Sequence, residues 1–170
     1  MGPLNNFQRL SILVTASASP ELKEKFVDIE KVGRWVAAGD EWALYYEYDF
    51  FDKEQHPLTA TVEETFAILG MYRFLQKVTV ESLEKVGLTA ESVVFPGFDG
   101  NNDKHYHIAS VIVDELKRFR DVEGATANSH LITSIDRYRR MLEKFKVIYP
   151  SPANWVNVPL TAEDVVKILE

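Results

Sequence analysis

The residues best equipped for chemistry lie close together between Phe95 and His107, in the run FPGFDGNNDKHYH. Asp99, Asn101 and Asp103 place side-chain oxygens at alternate positions, as the opening of a calcium loop does. The pattern then fails. Lys104 stands where the sharp turn needs glycine, and the twelfth position is Ser110 instead of a bidentate glutamate. A turn followed by a helix cap from Asn101 or Asn102 is the better reading, with Phe95 and Phe98 anchoring it in the core. Gly97 and Gly100 also expose backbone N–H groups beside a helix start, the raw material of an anion site, but Asp99 and Asp103 oppose an anion with their own charge.

His105 and His107 flank Tyr106. On a strand both rings would face one side and could share a metal; on a helix they diverge by roughly 200°. His105 instead aligns with Ile108 and Ile112, which suits a hydrogen-bonded histidine at the edge of a core. No serine sits in a G-x-S-x-G elbow, and no Walker A run, G-x-G-x-x-G or H-E-x-x-H occurs. With no cysteine there is no thiol nucleophile, disulfide framework or Cys-based zinc site. No residue is therefore assigned a catalytic, cofactor-binding or metal-binding role, and no cofactor is expected.

Two surfaces are better candidates. Trp42, Tyr45, Tyr46, Tyr48 and Phe50 crowd a poorly patterned segment, and aromatics are enriched at the centres of protein interfaces. Arg137, Arg140 and Lys144 share the outer face of a helix, where they could meet an anionic partner; pairing through Asp136–Arg140 and Glu143 is the plainer alternative. The formal charge of −7 argues against nucleic acid as the partner of the whole molecule. Acids dominate between Asp40 and Glu64 and bases between Lys117 and Lys146, so two copies, or two halves of one copy, could attract.

The elements that must position these groups are helical. The 170 residues, 46% hydrophobic and 26% charged, suit one globular domain with a sizeable core. Thr61–Val78 is apolar on most sides, which predicts a central helix with other helices around it; only Glu63, Arg73, Gln76 and Lys77 share a wet strip. Thr61-x-x-Glu64 reads as its capping box, and Gly70 as a point of close approach. A first helix carries Phe7, Leu10 and Val14 and is broken by Thr15–Ser19. A second starts at Ser19-Pro20-Glu21, turns Leu22, Phe26, Ile29, Gly33 and Val36 inward, and stops near Gly39. Trp42–Phe51 alternates like a strand, but with no partner strand it is expected to be a short helix or irregular. Thr79–Val86, continuing the central helix or restarting it as VESLEKVG and closed by Gly87, a helix from about Asp103 to Arg120, another presenting Leu131, Ile135, Tyr138, Leu142 and Phe145 inward, and a last one capped by Thr161–Asp164 complete an all-α bundle. The expectation is a single domain over 1–170 with six or seven helices.

Asn6-x-Gln8-Arg9-Leu10, Glu64-x6-Met71-Tyr72, Phe95-Pro-Gly-Phe-Asp-Gly-Asn101 and Tyr138-Arg-Arg-Met141-Leu142, in that order, resemble the YfbU family of small bacterial proteins. The resemblance runs over nearly the whole chain, and the loop Phe95, Gly97, Phe98, Asp99, Gly100, Asn101 is its most specific part. It implies an all-helical cytoplasmic protein that self-associates, and it brings no activity, substrate or catalytic residue. No apolar run reaches the roughly 18 residues of a membrane span. The combined expectation is a non-catalytic, homo-oligomeric interaction module with room for another protein partner; regulatory nucleic-acid binding through the cationic face, or an unrecognised hydrolase or small-molecule site near Asp99 and His105, are the alternatives.

Overall fold

The structure is a computed structural model that describes residues 5–19, 26–49, 51, 58–130, 134–150 and 159–170. Eight α-helices occur among them, counting one single-turn helix, and no strand, so the fold is all-α and multihelical. By its contacts the chain divides into two units, Met1–Leu58 and Thr59–Glu170.

In the first unit α1 spans Asn6–Ala18. Asn5 caps it with Gln8 in a reciprocal box: each side chain accepts the other's backbone N–H, at 2.9 and 3.0 Å. The helix runs through the Thr15–Ala18 stretch that was expected to break it. Thr15 satisfies its hydroxyl inside the helix by donating to the Ser11 carbonyl (2.8 Å), and buried Ser17 accepts from the N–H groups of Phe26 and Val27. The small polar run is thus used up within the fold and has no turn to make.

Helix α2, Ile29–Ala38, is capped by Asp28 and closed by Gly39, whose φ of 80° suits a residue without Cβ. The Ser19-Pro20-Glu21 start signal and Leu22 reach beyond the described residues. The inward face is not the expected one. Val32 and Trp35 are buried, whereas Phe26, Ile29 and Val36 remain 48%, 37% and 49% exposed. A bulky indole three residues from Val32 takes the inner side, and the lighter Ile29–Gly33–Val36 stripe turns out. Trp42–Phe51 is helical as far as Glu47, where a 3₁₀ turn over Glu41–Ala43 runs into α3, Leu44–Glu47, and Tyr48, Asp49 and Phe51 are irregular.

In the second unit α4 spans Ala60–Leu75 and packs against α6 and α7. Its cap is Thr59, two residues before the expected Thr61; the Thr59 hydroxyl accepts from the Val62 N–H. Glu64 then stands two residues beyond Val62, the position a box with Thr59 would use, and its carboxylate is committed elsewhere. Val62, Thr65, Ile68, Leu69, Gly70, Met71, Tyr72 and Leu75 are buried, while Glu63, Arg73 and Lys77 are exposed. Gln76 leaves the wet strip. Its amide accepts from the Glu123 N–H (2.9 Å) and donates to the carbonyls of Glu123 and Val93 (3.1 and 3.2 Å), clamping two loops.

Helix α5 is Val80–Lys85, followed by Gly87 at φ 79°. Helix α6, Lys104–Ser110, ends earlier than the expected Arg120 because Val111–Glu115 widens into a π turn: the Leu116 N–H reaches the Val111 carbonyl, five residues back, at 2.9 Å. Lys117 and Phe119 then take positive φ (57° and 53°) and turn the chain away. Helix α7, Ser134–Ile148, buries Tyr138, Met141, Leu142 and Phe145, and α8, Ala162–Leu169, packs on α7 and α5. Leu131 falls outside the described residues. The Thr161–Asp164 capping box is present at the start of α8. No helix among the described residues is long and apolar enough to cross a membrane.

Candidate functional site

The loop 95–101 is held from three sides within the second unit. Phe95 and Phe98 are each 1% exposed and meet edge to face at 5.0 Å, and both lie against Tyr138 of α7. Tyr138, an inward residue whose hydroxyl needs a partner once buried, donates to the Gly97 carbonyl at 2.7 Å. Burial and the neighbouring Tyr72 push its hydroxyl pKa far above the ordinary tyrosine value. Tyr72, beside Phe95, is pushed up to about 12, again chiefly by burial.

Residues 123–129 form the third side, by direct backbone contact. The Phe95 N–H donates to the Glu123 carbonyl (3.3 Å), and the Ser129 N–H to the Phe98 carbonyl (3.0 Å). Gly100 N–H donates to the Asn128 side chain at 3.0 Å. Two glycines make this approach possible. A Cβ on Gly97 (φ 91°) would stand 1.9 Å from the Ala127 carbonyl oxygen, and one on Gly124 (φ 82°) 1.9 Å from that of Phe95. Gly124 was not singled out in the sequence; a lone glycine in a polar loop is a weak signal without a facing segment.

The calcium-like oxygens are turned onto the loop itself. The buried Asp99 carboxylate accepts from the Asn101 N–H (3.0 Å) and the Asn102 side chain (2.6 Å), and these two, the Asn102 bond first, hold its pKa below the ordinary range. Asp103, not Asn101 or Asn102, occupies the N-cap position of α6. Among the described residues no group of three or more His, Asp or Glu side chains is arranged to hold a metal.

Beside the loop, a carboxylate, a histidine and a guanidinium tie three helices together. Glu64 of α4 lies 2.8 Å from Nε2 of His105 on α6 and takes two bonds from Arg139 of α7, at 2.8 and 3.1 Å. His105 is 7% exposed and stacks on Phe98 with ring centres 5.3 Å apart. Against an ionised carboxylate, Nε2 is the nitrogen that carries the proton. The carboxylate thereby fixes the ring through Nε2, and with Arg139 it staples α4, α6 and α7 together. Glu64 reads in the sequence as half of a cap and Arg139 as part of a motif, not as a pair, because their partners are 41 and 75 positions away.

The Arg139 bonds lower the Glu64 pKa most, His105 adds to this and burial works against it. A depressed carboxylate contributes stability above its unfolded pKa, near 4.3, and loses it as the pH falls through the lower folded value. Glu64→Gln should therefore cost about 1 kcal/mol at neutral pH, a modest figure because Arg139 is half exposed. Urea unfolding of both proteins at neutral and acid pH measures this, and the gap should narrow as the pH drops through that window.

The other predicted surfaces divide. Tyr45 is buried, edge-on to Phe51 at 4.8 Å; Trp42 is half-buried, donates from Nε1 to Asp40 (3.1 Å) and meets Tyr46, also half-buried, edge to face. The Tyr48 hydroxyl accepts from the Asp28 N–H (3.1 Å), and Phe50 lies outside the described residues. On α7, Arg137 and Arg140 are exposed and Lys144 is half-buried, and none makes an ion pair among the described residues. The expected Asp136–Arg140 pair is replaced by Asp136–Arg139 at 3.3 Å, since Arg139 leans to the side where Glu64 waits.

The family model of the YfbU domain matches residues 16–170. The chain belongs to the YfbU family. No curated protein and no solved structure gives a significant match. The YfbU match takes in both the loop 95–101 and the Glu64–His105–Arg139 staple, along with α2 and most of the N-terminal unit.

Proposed function

We propose that this YfbU protein is a non-catalytic interaction module that self-associates, and that its docking surface is the outer stripe of α2. The observation that carries the reading is the exposed line Phe26, Ile29, Gly33 and Val36. Ile29, Gly33 and Val36 recur at helical spacing on α2, and Phe26 is exposed just before its cap, the kind of apolar surface that marks an interaction site. Gly33 sits in its middle with nothing within 4 Å of where a Cβ would be, so a partner backbone can come close. At one end the stripe opens on a cavity of about 550 Å³, whose walls include Phe26, Ile29 and Tyr48. One member of the predicted aromatic surface thereby joins the stripe.

A second copy is the occupant we favour. The exposed acids Asp49 and Glu63, and the cations Arg137, Arg140 and Lys144 that make no ion pair among the described residues, give two copies opposite charges to present to each other.

Light scattering after size exclusion tests the reading at micromolar concentration and above. The expected result is an oligomer that Ile29→Glu with Val36→Glu converts to monomer. Gly33→Leu should have the same effect while keeping the helix, because leucine is the better helix former by several tenths of a kcal/mol. A wild type that stays monomeric overturns self-association; an oligomer indifferent to these variants overturns the surface.

A further inference from the structure

Where α8 packs on α5, the second unit shapes a half-open cavity of about 440 Å³. That volume lies in the range of small-molecule sites, which join apolar walls to a few placed polar groups. Its lining is unusual for a chain of formal charge −7. Lys77 and Lys85 both line it, and neither makes an ion pair among the described residues. Lys77 rests its ammonium 5.2 Å from the centre of the Phe74 ring, a contact that leaves its N–H donors available.

Between the lysines lies a hydroxyl pair. Thr79 Oγ1 and Ser82 Oγ are 2.9 Å apart, and the Thr79 side chain caps no backbone N–H of α5. In such a pair one hydroxyl donates to the other, and the second proton is left to donate outward. Two lysines and one spare O–H thus line the same space. Val78 and the buried Leu160 add an apolar wall. Glu163 is the single carboxylate of the lining and is exposed.

We propose that this cavity binds a small organic phosphate monoester, its phosphoryl group held by Lys77, Lys85 and the Thr79–Ser82 hydroxyls and its carbon framework laid against Val78 and Leu160. Lysine serves phosphate as a movable point charge, and two of them offset a dianion. The ligand class follows from the donors: three positively polarised groups suit the three terminal oxygens of a monoester, and the apolar wall has a use only if the phosphate carries carbon.

The test is an amide-resolved NMR titration of the full chain with phenyl phosphate and, separately, inorganic phosphate, at constant ionic strength. Saturable shifts centred on 77–85 and 160–163 are expected, with phenyl phosphate binding the tighter. Lys77→Gln with Lys85→Gln should weaken binding roughly ten-fold or more, the loss of a charged hydrogen bond or two. Arg9→Gln with Lys104→Gln, which removes the same charge from exposed positions outside this lining, should leave it unchanged. Shifts that do not saturate, that survive the lysine changes, or that follow the Arg9 and Lys104 changes overturn the site. Equal affinity for the two probes overturns the assignment of an ester.

Discussion

Gly97→Ala is expected to destabilise the second unit by about 2–5 kcal/mol, the sum of a left-handed backbone that costs an L-residue roughly 1–2 kcal/mol and overpacking of about 1–3 kcal/mol. The steric part cannot relax cheaply. The new Cβ would lie 1.9 Å from the Ala127 carbonyl oxygen and 2.5 Å from its carbon, so backbone must move. Moving residue 127 away strains the bonds on either side of it, Phe95 to Glu123 and Ser129 to Phe98. Moving residue 97 instead withdraws the carbonyl that satisfies the buried Tyr138 hydroxyl. Gly87→Ala is the matched control. Its φ of 79° imposes the conformational cost, yet nothing lies within 4 Å of the added carbon. Urea unfolding of the two variants should separate the terms, with Gly97→Ala the worse by the overpacking alone. Equal losses would mean that the 95–101 and 123–129 segments do not meet backbone to backbone.

How much of this was legible beforehand follows the range of each interaction. Local chemistry read well. The Gly39 and Gly87 stops, the Thr161–Asp164 box and the placing of Phe95, Phe98 and Tyr138 inside all depend on spacing within a few residues. The α2 stripe was seen as a stripe but assigned the wrong side. Periodicity shows that Phe26, Ile29, Gly33 and Val36 align; it does not show that Trp35, one residue from Val36, would win the interior. The end of α6 was missed because a π turn inserts one residue per turn without any mark in the hydrophobic pattern. Least legible were the long-range polar links. Gln76 read as a wet residue, and Glu64 as half of a cap, because the backbone of Glu123 and the side chains of His105 and Arg139 come from far along the chain. The site is therefore made of parts the sequence showed and joints it did not.

Phe98→Ala should cost about 3–5 kcal/mol, the usual price of emptying an aromatic site in a core, and lower the melting temperature by roughly 6–20 °C for a chain of this length. The ring is 1% exposed and touches three others: Phe95, Tyr138 and His105. Two effects are folded into that loss, lost volume and lost stacking on His105, and they can be pulled apart. Phe98→Leu keeps most of the volume, so if packing alone matters it should cost less than about 1.5 kcal/mol. It also removes the flat face against which the imidazole lies at 24°. Without that face His105 is free to rotate, and Nε2 loses its fixed aim at Glu64, 2.8 Å away. The staple would then loosen although neither of its polar members has been touched. Measuring Glu64→Gln in the Phe98→Leu background settles which holds. If Phe98 aims His105, the two changes cost less together than the sum of their separate losses, because one bond cannot be lost twice. Strict additivity would leave Phe98 as packing only, and the loop 95–101 independent of the staple beside it.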